Sequence, residues 1–159
     1  MTQTSSNGWK ASADANEIGV KSYPLKGTKI KLRCAEKCAP LLVGFAEEFH
    51  ALIEPIDEGS LDDWGYCFRM VRGSLNNLSN HSSGTAIDLN ASKHPLGKVG
   101  TFPNEKVPMI RALAKKYGLR WGGDYKSRAD EMHFEIDLSE AKVVALIGSL
   151  KLGDTHESS

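Results

Sequence analysis

Two short stretches carry the residues best suited to chemistry. His81 and Asp88 stand seven positions apart in Ser79-Asn80-His81-Ser82-Ser83-Gly84-Thr85-Ala86-Ile87-Asp88. Further on, Asp130, Glu131, His133 and Glu135 crowd into Asp130-Glu131-Met132-His133-Phe134-Glu135. Imidazole nitrogens and carboxylate oxygens are ordinary ligands of a divalent ion such as zinc. A catalytic zinc takes roughly three such side chains and leaves its remaining position to water. Two histidines and one carboxylate would meet that need, with other carboxylates left to serve as a base. Gly84 and Ala86 are small, so the chain can turn and pass close to an ion. Taken alone, a His-Asp pair at this spacing reads as a surface loop running into an edge strand, and a lone His133 as a satisfied core histidine. Strand alternation weighs against the second reading. It puts Met132, Phe134 and Ile136 on an apolar face and Glu131, His133 and Glu135 on the other. Two carboxylates beside a histidine need compensation, which a divalent cation supplies.

The elements that must position these groups follow from periodicity. Ala39, Leu42, Phe45, Ala46, Phe49 and Ile53 recur at three and four residues and predict a helix ending before Pro55. A second helix is predicted over Lys106 to Tyr117 with Gly118 as its C-cap, and a third from the Ser139 cap to about Leu150 with Val143, Val144, Leu146 and Ile147 inward. Strands are expected at 28–32, 64–71, 85–89, 119–121 and 132–136, and a turn at Gly122-Gly123-Asp124. The long loop from Asn90 to Asn104 would rarely be kept without a use. Residues 1–25 read as a poorly ordered arm, 26–152 as one domain and 153–159 as a frayed tail. Helices and strands mix without strict β-α-β alternation, so the class is α+β: a small antiparallel sheet with flanking helices.

Composition narrows the function classes. Lys+Arg and Asp+Glu both number 20, so no net charge draws the chain to nucleic acid or to an anionic membrane. No segment approaches the ~18 apolar residues of a membrane span, and no secretory signal is visible at the start. Cys34, Cys38 and Cys67 read as idle reduced thiols, a Cys34–Cys38 disulfide being the alternative. His50, His94 and His156 lack ligand spacing and are expected to be structural or exposed.

The segment 79–88 resembles the S-x-H-x-x-G-x-A-x-D signature of the zinc D-Ala-D-Ala carboxypeptidase superfamily, and Asp130-Glu131-Met132-His133 resembles its second signature, a carboxylate three residues before a histidine. Arg69 to Gly73 and Trp121-Gly122-Gly123-Asp124 add to the likeness, which runs from about Trp64 to Ile136. The superfamily includes VanY-type carboxypeptidases, VanX-type dipeptidases, endolysin L-alanyl-D-glutamate peptidases and, as a relative, the Hedgehog signalling domain. The resemblance implies that fold, with His81, Asp88 and His133 as zinc ligands and Asp130 as general base. Glu131 next to it is the alternative base. Arg69 or Arg72 would stabilise negative charge on the scissile carbonyl. Ser79 would serve the substrate or bond its own loop, and Trp121 would wall the groove or sit in the core. The nearest likeness is to bacteriophage endolysins. It implies a monomer made in the host cytoplasm without a signal peptide, acting on the stem peptide of the bacterial cell wall. A D-Ala-D-Ala carboxypeptidase and a non-catalytic, zinc-stabilised binding module are the other readings.

Overall fold

A computed structural model describes residues 2–152. In chain order its elements are β1 (Gln3–Thr4), β2 (Lys10–Ala11), β3 (Val20–Pro24), β4 (Lys31–Ala35), α1 (Ala39–Leu52), β5 (Ala86–Asp88), α2 (Val107–Lys116), β6 (Leu119–Trp121), β7 (His133–Ile136) and α3 (Glu140–Ser149). The strands form two hairpins, β1–β2 and β3–β4, and a three-stranded antiparallel sheet in the order β5–β7–β6. The fold is α+β, as the mixture of periodicities predicts.

Helix α1 is the core. Its predicted apolar residues are all buried, and Leu41 and Val43 are buried as well, so it is covered on nearly every side. Phe45 and Phe49 pack on Phe134 of β7, with ring centroids 4.5 and 5.7 Å apart. Phe134 is fully buried, and truncating such a ring costs about 3–5 kcal/mol. The pleat then decides what the sheet offers on its other side. Register pairs Ile87 with Phe134 and Trp121 with Phe134 on the core face. Asp88 opposite His133, and Ala86 and Arg120 opposite Glu135, fall on the outer face.

Several expectations are corrected. Residues 2–25 do not form a loose arm: they hold β1, β2 and β3, and Trp9, Tyr23 and Leu25 are buried in the core. Trp9 is anchored through Nε1 to the Leu138 carbonyl at 2.9 Å. A boundary at residue 26 would cut the β3–β4 hairpin. The strand expected at 28–32 begins later, at Lys31. The segment 64–71, expected as a strand, makes only isolated bridges, at Trp64 with Asp88 and at Met70 with Leu78, and joins no sheet. Its amides go in turn to Asp88, Arg33, His81 and Asn77, so no single neighbour builds a ladder with it. Gly65 makes that crossing possible, because a Cβ there would lie 2.1 Å from the Arg33 carbonyl oxygen. In α3, Ser139 caps as expected and Val143 is buried, whereas Val144 is 68% exposed because the helix offers the core only one narrow stripe. The tail from 153 lies outside the described residues.

Candidate metal centre and catalytic cleft

The three proposed ligands arrive by two routes. Asp88 and His133 are directly cross-strand in the β5–β7 pair, on the outer face. His81 comes from a 3-10 turn, Asn80–Ser83, that abuts β5. Ser79 starts the turn, its Oγ accepting the His81 amide at 3.2 Å. Gly84 ends it at φ 70°, with its Cβ position only 2.7 Å from the Ala35 amide nitrogen, so no larger residue fits there. The spacing of His81 and Asp88 is thus one turn followed by a three-residue strand.

The side chains converge. Asp88 Oδ1 lies 3.0 Å from His133 Nδ1 and 3.2 Å from His81 Nε2. A tetrahedral zinc with ligand distances near 2.0–2.1 Å has ligand-to-ligand edges of about 3.3 Å. One ligand atom from each of the three residues lies within 4.8 Å of the others. The second nitrogen of each imidazole is already committed. His81 Nδ1 donates to the Gly65 carbonyl at 2.7 Å, and His133 Nε2 faces Glu135 Oε1 at 2.8 Å. His81 Nε2 is buried and has no hydrogen-bond partner. With Nδ1 as the donor, Nε2 turns a lone pair toward the Asp88 carboxylate. Two acceptors face each other there, an arrangement that a divalent cation makes attractive. The three side chains could therefore hold a metal ion.

The ionisation of the groups points the same way. Burial opposes charge on Asp88, yet His81 and His133 hold its pKa far below the usual carboxylate range. Burial likewise opposes charge on His133, but the hydrogen bonds it donates to Asp88 and Glu135 raise its pKa to about 10. The pocket thus calls for positive charge between its carboxylates.

Glu135, read from the sequence only as a carboxylate in need of compensation, lies directly against His133. It accepts from Tyr125 Oη and from Asn80 as well as contacting His133. It meets the His133 ring on the side away from Asp88, the place a carboxylate takes at a metal-bound histidine. Its signal was its position two residues past His133 on the polar strand face.

Asp130 and Glu131 part company. Both Glu131 oxygens are occupied: Oε2 accepts the Gly100 amide at 3.0 Å, and Oε1 accepts the Thr101 amide at 2.9 Å and the Thr101 hydroxyl. Glu131 staples the long loop and does not line the cleft. Asp130 does line it, alongside Asp88, His133 and Glu135, in an opening of about 630 Å³. Its Oδ1 has no partner, and burial raises its pKa. Arg69 is half-buried in the same wall and Arg72 is exposed on it. Ser79 also borders the cleft.

Trp121 is a correction. It is 4% exposed, sits on the core face opposite Phe134, and donates Nε1–H to the Glu131 carbonyl. The pleat sends Arg120, not Trp121, toward the cleft. His94 is buried between Glu54, Thr101 and a stacked Phe102 ring. His50 Nδ1 accepts the Ile56 amide. Both serve structure. Cys34, Cys38 and Cys67 are all free thiols.

Residues 72–136 match the family model described as D-alanyl-D-alanine carboxypeptidase. The matched span holds His81, Asp88, Asp130 and His133, and it supports a likeness to the VanY-like superfamily. Neither the curated proteins nor the solved structures gave a match to the chain. No helix among the described residues is long and apolar enough to cross a membrane.

Proposed function

We propose that the protein is a zinc-dependent peptidase of the peptidoglycan stem peptide. The observation that carries this reading is the meeting of His81, Asp88 and His133 around an unpartnered His81 Nε2, beside a carboxylate, Asp130, that also lacks a partner. A zinc ion held by the three ligands would polarise a water molecule and the carbonyl of the amide under attack. Asp130 takes the proton from the attacking water and passes it to the leaving amine. Its raised pKa suits both halves of that exchange. Arg69 supplies positive charge for the carbonyl oxygen as it becomes anionic, with Arg72 further out on the wall. Glu135 and the Gly65 carbonyl keep the two imidazoles turned toward the ion.

Within this reading the bond we assign is L-alanyl-D-glutamate, as in bacteriophage endolysins, with a monomer acting on the bacterial cell wall. D-alanyl-D-alanine is the second reading, favoured by the description of the matching family. Purified muropeptides analysed by mass separate them. Cleavage between L-alanine and D-glutamate meets the first, and release of free D-alanine the second. Zinc-loaded protein that leaves every stem peptide intact contradicts both. Asp130→Asn should keep its zinc and lose roughly 10²–10⁴-fold in turnover. Undiminished lysis by that variant would favour a different base or no catalysis at this site.

A further inference from the structure

The cleft has more cations than its own carboxylates use. Asp88 and Glu135 are engaged by the histidines. Asp124, also on the cleft wall, is already paired with Arg111 at 2.9 Å. Asp130 alone is left, beside Arg69. Yet Arg120, Lys126 and Arg128 line the same opening from the segment that leads into Asp130. Among the described residues none of the three has an ion-pair partner, although the chain as a whole carries equal numbers of both signs. Arg120 is aimed by the pleat, opposite Glu135, and held with its guanidinium carbon 4.8 Å from the Tyr125 ring centroid. Cations gathered in a cleft focus a positive potential on whatever enters it.

We propose that Lys126 and Arg128, with Arg120 behind them, form a subsite for a carboxylate of the peptide flanking the bond to be cut. This rests on the peptidase reading above. Two carboxylates of a stem peptide could fill it: the free C-terminus, or the α-carboxylate of a γ-linked glutamate within the chain. The ligand chemistry is the same, and the geometry of cleavage differs.

The test compares three synthetic stem peptides: unmodified, amidated at the C-terminus, and amidated at the glutamate α-carboxylate. Each is assayed for kcat/KM with zinc-loaded wild type, with a Lys126→Met/Arg128→Gln double variant, and with Lys115→Met, which removes a positive charge outside the cleft. Binding to an Asp130→Asn protein is followed by calorimetry. One amidation should lower wild-type kcat/KM about tenfold, mainly through KM, as expected for loss of a charge-assisted hydrogen bond. The double variant should treat that acid and its amide alike, and Lys115→Met should behave as wild type. Which amidation matters identifies the carboxylate. Discrimination that persists in the double variant, or that Lys115→Met loses to the same extent, overturns the subsite. Absence of hydrolysis by wild type would sink the peptidase reading alone, because calorimetry still reads the subsite. Binding indifferent to amidation there overturns the subsite too.

Discussion

Gly122 offers the sharpest single perturbation of the cleft. Its carbonyl accepts the Asp130 amide at 2.9 Å and the Tyr125 amide at 3.2 Å, so the turn and the strand entry are laced backbone to backbone. A Cβ at this position would stand 2.3 Å from the Asp130 carbonyl oxygen and 3.1 Å from the Cβ atoms of both Asp130 and His133. Ordinary contact begins near 3.4 Å, so Gly122→Ala must push the Asp130 backbone away by 3.4 minus 2.3, about 1 Å. No rotamer change can absorb this, since the obstacle is main chain. The stability cost is about 1–3 kcal/mol, typical of overpacking. The functional cost is larger, because displacing a base or ligand by about 1 Å can lower turnover roughly 10²-fold. Muropeptide turnover and urea midpoint should be measured together, with Gly148→Ala as control. Gly148 lies in α3 with nothing within 4 Å of its Cβ position, so alanine there should leave activity alone and add up to about 1 kcal/mol of stability. If Gly122→Ala stays folded and retains turnover within a few-fold, the argument that this glycine sets the position of Asp130 is wrong.

Other consequences follow from single contacts. Glu135→Gln removes the charge behind His133 and should weaken zinc binding about 10–100-fold in a chelator competition, with the fold intact; unchanged affinity would remove Glu135 from the site. Glu131→Gln should lower thermal stability by loosening Gly100 and Thr101 while turnover at saturating substrate stays near wild type, the reverse of Asp130→Asn. Burial raises the Asp63 pKa from 3.8 to about 6 against the opposing hydrogen bond from the Asn90 amide, with Asp62 and Asp57 adding to the rise. Between those values the folded state holds more protons than the unfolded state, so wild-type stability falls as pH rises from about 4 to 6. Asp63→Asn lacks that fall. Its advantage in denaturant melts should grow across the window by about 1 kcal/mol, reduced from the full shift because the group is half exposed. An advantage that does not change with pH would contradict it.

The candidate site was more legible in the sequence than the fold around it. His81 and Asp88 lie within one local turn-and-strand unit, and His133 within a strand of clear alternation, so the ligand set could be written down from spacing and resemblance. The same alternation could have placed Trp121: it opposes Phe134, while Arg120 opposes Glu135, but that requires the β6–β7 register. Glu135 was recognised as a carboxylate in need of a partner, not as the partner of His133. The N-terminal segment was misjudged because its order comes from distant contacts. Asn7 donates to Asn80 Oδ1, to Thr85 Oγ1 and to the Ile136 carbonyl, and Ser5 Oγ donates to Ser83 Oγ. Polar residues bonding across such separations leave no periodic trace. Residues 64–71 have strand propensity, but propensity cannot say whether a partner strand is alongside.

The most direct measurement is a zinc titration of chelator-stripped protein, comparing wild type with His81→Ala, Asp88→Ala and His133→Ala. The account predicts one tightly bound zinc per chain in wild type and a loss of tight binding in each variant, while circular dichroism reports the folded α+β chain. Wild type that binds no zinc, or a variant lacking any one of the three side chains that binds it as tightly as wild type, would contradict it.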